Sequence, residues 1–153
     1  MRTPLLLAAL VMSSCGPEET PGIASTPLAG TVSGAPWKAL SATASARKAF
    51  SDDLSERWID VGAGTFDCDT FGIEPELIGT IPWSGTGYGF SLQQNLTIVT
   101  REDGETINRV ALRGRVELVT LTEPGGEPSV LRIRAEANDD NVVEGEIQVT
   151  VCD

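Results

Sequence analysis

The 153-residue chain has no histidine, so the side chain most often used as general base and metal ligand near neutral pH is missing. Histidine-dependent triads, zinc sites built on imidazole and haem with a proximal histidine are thereby excluded. Basic residues are also scarce, 11 against 22 acidic ones, for a net charge of −11. Nucleic acid is not an expected partner, because affinity for phosphates rests on clustered lysine and arginine. Aromatic residues make up only 5% of the chain, and no apolar run approaches the roughly 20 residues that a membrane-spanning helix needs. Cysteine is limited to three residues. What remains is 41% hydrophobic content, enough to fill the core of one domain.

The longest apolar run is Leu5 to Met12, preceded by Arg2 and followed by Ser13, Ser14 and Cys15. It is too short to span a bilayer but suits the apolar region of a signal peptide. A cysteine directly after two small residues resembles the lipobox of bacterial lipoproteins, with Met12 where leucine is usual. The resemblance implies a signal peptide over 1–14, cleavage before Cys15 and lipid attachment at Cys15. Removal of 1–14 takes away Arg2 and no acid, so the mature chain is more acidic still. Residues 15–29 then form the lipidated cysteine and a tether rich in Pro, Gly, Ser and Thr, and 30–153 a single all-β domain. Acidic charge disfavours resting on anionic lipid, so the lipid is expected to hold the protein at the membrane. The expected location is the bacterial cell envelope, extracytoplasmic, at the outer membrane.

Cys68 and Cys152 remain as a pair. In an exported protein an even pair suggests a disulfide, while two cysteines without histidine make a poor metal site. Strict alternation sets Cys152 on the outer face of its strand. Either the Cys68 loop wraps over that end of the sheet, or a bulge near residue 150 turns Cys152 inward.

From Gly30 onward short apolar runs of period two alternate with turn residues, which predicts strands. Expected strands are 31–34, 37–45 after an Ala35-Pro36 turn, 58–64, 77–81, 88–92 and 96–100. Residues 46–57 are polar, with room for one helical turn. The C-terminal part reads as a three-stranded antiparallel meander over 109–152. Val110, Leu112, Val116, Leu118, Leu131, Ile133, Ala135, Val143, Ile147, Val149 and Val151 face inward; Arg113, Arg115, Glu117, Arg132, Arg134 and Glu136 face outward. A turn centred on Gly125-Gly126 pairs Leu118 with Ile133, Glu117 with Arg134 and Arg115 with Glu136, and Glu144 and Glu146 can meet Arg132 and Arg134. Such cross-strand pairs contribute about 0.2–1 kcal/mol each. The expected architecture is an antiparallel β-sandwich, with a small β-barrel as the alternative.

Several motifs invite chemistry and are better explained without it. Ser45-Ala46-Arg47-Lys48 matches Ser-x-x-Lys, but the companion motifs of penicillin-binding enzymes are missing. Gly85, Gly87 and Gly89 resemble a phosphate loop without the helix that such a loop needs. Asp67, Asp69, Asp139, Asp140 and Asn141 could gather around calcium only if the disulfide drew their loops together, and turn formation explains them as well. Asn95-Leu96-Thr97 is a glycosylation sequon with little meaning in a bacterial lipoprotein. No carboxylate pair is singled out. Trp83, Tyr88 and Phe90 are candidate ligand contacts, a platform for sugar rings or a partner's apolar anchor; as core plugs they need no ligand.

Gly30-Thr31-Val32-Ser33-Gly34-Ala35-Pro36-Trp37, Cys68, Ile81-Pro82-Trp83, Gly114 to Leu118, Val143-Glu144-Gly145 and Cys152 together resemble a group of uncharacterised bacterial lipoproteins. The resemblance implies a lipid-anchored all-β domain and transfers no catalytic residue. The expectation is a non-enzymatic envelope module, binding or structural, without cofactor or metal, that meets an envelope protein or glycan. A small hydrolase of cell-envelope polysaccharide with a carboxylate pair, and a lipid or small-molecule carrier, are the alternatives.

Overall fold

A computed structural model describes residues 22–46, 55–70 and 74–153. These form eleven strands: β1 (Ala29–Val32), β2 (Ala35–Lys38), β3 (Ser41–Ser45), β4 (Glu56–Gly62), β5 (Glu76–Pro82), β6 (Gly87–Gly89), β7 (Leu96–Glu102), β8 (Glu105–Ala111), β9 (Arg113–Thr120), β10 (Ser129–Asn138) and β11 (Asn141–Cys152). No helix occurs among the described residues. The helical turn considered within 46–57 lies mostly outside them, and residues 56 and 57 belong to β4.

The strands join in one mixed sheet in the order β6-β9-β10-β11-β3-β4-β5-β7-β8, curled into a half-barrel, with β1 paired to β11 and β2 to β1. The centre is β11. Its first half pairs with β10 and β1. Its end runs parallel to β3, setting Thr150, Val151 and Cys152 beside Thr43, Ala44 and Ser45. The two walls face each other as sandwich layers would: Val116, Leu118, Leu131, Ile133 and Val143 from one meet Ile59, Val61, Leu77, Ile81 and Ile98 from the other. Because β11 belongs to both walls, the sheet is continuous rather than two separate layers.

Period-two patterning placed most strands, and turn chemistry moved their ends. The first hairpin turns at Ser33-Gly34, both at positive φ (50° and 74°), not at Ala35-Pro36, which sit in β2. Two consecutive positive φ angles give the turn whose twist matches a hairpin. Asp103-Gly104 (51° and 86°) does the same between β7 and β8. The strand expected from 109 is therefore two: β8 pairs with β7, and β9 begins after Leu112 and pairs with β10. Crossing this corner changes the phase of alternation. Ala111 is inward, while Val110 and Leu112, expected inward, are 46% and 49% exposed.

The meander is present with every expected inward side chain of β10 buried. Its β9–β10 register differs from expectation by two residues: Leu131 faces Leu118, Ile133 faces Val116, Arg132 faces Glu117 and Arg134 faces Arg115. A bulge opposite Val130 and Leu131 accounts for part of the offset. On the other side Arg132–Glu146 and Arg134–Glu144 pair as expected, each at 3.0 Å.

Ile23 and Leu28, within the stretch read as tether, are buried at 4% and 1% exposure. The backbone of 26–28 clasps β11: Glu146 N donates to Thr26 O (2.6 Å) and Leu28 N to Glu146 O (2.9 Å). Gly145 permits this approach. A Cβ there would lie 2.5 Å from Thr26 O and 2.7 Å from Leu28 Cα.

Candidate functional site

The two chain-distant cysteines meet at one end of β11. Cys68 and Cys152 form a disulfide with Cα atoms 5.6 Å apart across a separation of 84 residues. Alternation along β11 is intact: Val143, Val149 and Val151 are inward, and Cys152 is on the outer face. Cys152 is nonetheless only 5% exposed, next to the buried Ser45. Of the two routes left open by the sequence, the loop reaches over the sheet end. That loop is tied to β3 by Ser41, whose hydroxyl donates to Gly64 O (2.6 Å) and accepts from Phe66 N (3.2 Å). Asp67 folds its tip, accepting from Thr70 Oγ1 (3.0 Å) and Asp69 N (3.1 Å), and these bonds hold its carboxyl below the usual range.

The disulfide does not gather the acidic residues considered for calcium. Asp67 and Asp69 flank Cys68, whereas Asp139, Asp140 and Asn141 stand at the opposite end of β11. Eleven strand steps place them roughly 36 Å away. The latter group serves turns: Asn138 Oδ1 accepts from Asp140 N and Asn141 Nδ2, and Asn141 Oδ1 accepts from Ser33 N. Among the described residues no three His, Cys, Asp or Glu side chains converge as a metal site would require. Ser45 of the Ser-x-x-Lys match is buried in β3, and Lys48 lies outside the described residues. Gly87 and Gly89 form the short strand β6, whose backbone closes on β9 at Val116 and Glu117. Asn95 of the sequon spends its amide on Ser91 O and Leu92 O. One acid the sequence did not single out, Asp60, is 2% exposed on the outward side of β4, between Thr43 of β3 and Ile78 of β5.

Trp83, Tyr88 and Phe90 all pack, half-buried, against the core cluster. Trp83 follows β5 and its backbone N donates to Ser55 O. Tyr88 faces Val116 across β6 and β9, and its ring lies 6.1 Å from that of Phe90 at 41°. Burial pushes the Tyr88 phenol well above its ordinary pKa, and its oxygen has no hydrogen-bond partner among the described residues. Desolvating a hydroxyl without a partner costs free energy, so Tyr88→Phe should leave the melting temperature unchanged or raise it, by up to about 1 kcal/mol of stability. A calorimetric scan of the variant checks this; a clear loss would mean that the hydroxyl has a partner.

Of two groups of charges, the first escaped the sequence reading because it joins two hairpins distant in the chain, whereas Arg132–Glu146 and Arg134–Glu144 of the second were expected. Glu102 ties the two positive-φ hairpins together, accepting from Ser33 Oγ (2.7 Å) and Arg109 Nη2 (2.7 Å), while Arg109 Nη1 donates to Thr100 Oγ1 (2.8 Å). These donors, Ser33 first, lower the Glu102 pKa. A carboxylate with a depressed folded-state pKa contributes stability above its unfolded value, lost as pH falls through the folded one. Glu102→Gln should therefore flatten the acid limb of the stability–pH curve below about pH 4.3 and change it little at pH 2. Urea titrations across that range make the comparison.

The second group covers the outer face of β9, β10 and β11. Arg113–Glu136 (2.6 Å), Arg115–Glu117 (2.9 Å), Arg132–Glu146 and Arg134–Glu144 form a ladder of ion pairs. Arg115 and Arg134 stand directly opposite each other on adjacent strands. Beside them is a shallow concavity of about 470 Å³ lined by Gly22, Ile23, Gly114, Arg115, Arg134 and Glu144. Ile23 N donates to Glu117 Oε1 at 3.2 Å, so the N-terminal segment enters the domain across this face. No family model, curated protein or solved structure matches the chain.

Proposed function

We propose that the protein is a lipid-anchored module of the bacterial envelope, held by Cys15 and exposing an all-β domain that binds or scaffolds an envelope protein or glycan without catalysing a reaction. The observation that supports it most is the Cys68–Cys152 bridge. Structural disulfides persist in oxidising compartments outside the cytoplasm. Pairing these two leaves Cys15, the cysteine after the short apolar run, as the odd one of three. Among the described residues no helix is long and apolar enough to cross a membrane. Binding is supported by an outer face whose arginines and glutamates are arrayed in four ion pairs beside a concavity.

The test is the intact mass of the membrane-extracted protein, with thiols alkylated before and after reduction. A mass of residues 15–153 plus acyl chains, with two thiols appearing only on reduction, is expected. Recovery of the full chain with alkylatable thiols would defeat the reading. Cys15→Ala should leave the bridge intact and shift the protein from the membrane to the soluble fraction. Trp83→Ala with an intact fold should weaken capture of an envelope glycan or protein if the aromatic group reaches a partner.

A further inference from the structure

We infer that the ion-laddered outer face of β9, β10 and β11 is the face that rests on phospholipid headgroups, with Arg115 and Arg134 meeting lipid phosphate at the root of the tether. The inference rests on the lipid anchor at Cys15 and specifies how the domain sits on its membrane. Ile23 is buried, and its backbone is bonded to Glu117 on this face, so the chain leaves the domain here. From Cys15 to Ile23 there are eight residues, which reach at most about 28 Å when fully extended. A domain of this size has a radius of gyration of about 14 Å, and a path around half of it runs roughly 55 Å. The tether is too short for the domain to roll over and present its opposite wall to the bilayer.

Charge favours the same face. Four arginines and four glutamates sit on it in four pairs, so the whole net charge of −11 comes from elsewhere on the chain. An anionic leaflet therefore repels this face less than it repels the net-acidic remainder of the chain. A ladder carrying both signs is complementary to a zwitterionic headgroup, with guanidinium donors for its phosphate and carboxylates for its ammonium. Arg115 and Arg134, opposed across β9 and β10 and each paired with a glutamate, set two guanidinium groups side by side at the concavity, where one phosphate can bridge them. Gly22 and Gly114 leave the concavity open at that point.

The experiment uses the full lipidated protein, first verified by intact mass, in vesicles of phosphatidylethanolamine and phosphatidylglycerol and in nonionic detergent. Loss of the acyl mass would defeat the anchor itself and is read before anything else. Arginines are then modified with phenylglyoxal and quantified by peptide mass spectrometry. Arg113 and Arg134, with side chains 65% and 50% exposed, should be modified at least three-fold more slowly in vesicles. Arg101, 64% exposed on β7, should react equally in both and is the internal control. Equal rates at all three arginines, or protection at Arg101 instead, would overturn the proposed orientation. The double variant Arg115→Gln/Arg134→Gln should retain its fold and lose at least half of the protection at Arg113. Undiminished protection would show that tether length alone holds the domain there and would overturn the headgroup contact. Should the double variant fail to fold, Arg134→Gln alone is read in the same way.

Discussion

Replacing Cys68 and Cys152 together by serine should lower the melting temperature by roughly 10–20 °C, the largest effect expected from any exchange that leaves the core side chains in place. The bridge closes a loop across a separation of 84 residues, and the chain-entropy estimate for such a loop is about 4–5 kcal/mol. Native domains have only about 5–15 kcal/mol of stability to lose. The effect is local as well. Residues 150–152 are the parallel contact between β11 and β3, and the loop that covers Cys152 is held on the sheet by the bridge and by Ser41. The double variant should therefore unfold at lower denaturant and lose protection of the Cys152 end of β11 first, by hydrogen exchange. A fall of under 5 °C would mean that the bridge is incidental to stability.

Gly114→Ala should cost about 3 kcal/mol or more, enough to prevent folding in a marginal background. Gly114 stands at φ +134°, where the chain turns the corner from β8 into β9. A Cβ there would run into the Arg134 carbonyl oxygen of β10, with the carbonyl carbon at 2.8 Å and Phe90 Cε2 at 3.1 Å. Backbone cannot swing aside as a flexible side chain can, so β9 would have to leave β10. Gly89→Ala is the control: that position has open space around it and should stay within about 0.5 kcal/mol of the parent. Chemical denaturation of the pair gives the comparison. A Gly114→Ala protein as stable as Gly89→Ala would show that the corner is slack.

The all-β class and the faces of the meander were legible because alternation reports which way a side chain points. Leu131, Ile133 and Ala135 are fully buried while Arg132, Arg134 and Glu136 point outward, as their order in the chain implies. The same signal is blind to a slip of two residues, which keeps every side chain on its face. Pairing Leu118 with Ile133 assumed a tight turn at Gly125-Gly126. The connection is instead a bulge at Val119 of β9 followed by a longer loop in which Thr122 bonds Ser129 Oγ and Glu127 O. Asp103-Gly104 is a strong local hairpin signal that the alternation through Val110 and Leu112 concealed, and with it the division of β8 from β9. The disulfide followed from counting cysteines, but its route over the sheet end depended on the 63–70 loop. The arginine-lined concavity was out of reach, since it exists only where the β9–β10 register and the returning 22–28 segment coincide. Trp83, Tyr88 and Phe90 are candidate ligand contacts in the sequence, and in the structure they are partly buried against the core cluster.

β11 is the keystone of the sheet, and it is also the last strand of the eleven to be synthesised. Before it arrives, β10 has no link to β3 within the sheet, and β1 has only β2. Cys68 likewise waits for the whole stretch up to Cys152. Such a chain cannot close its sheet before its last strand is in place. Closure becomes a single late event, in which one arriving ribbon zips two half-built walls together and the sulfurs are sealed behind it.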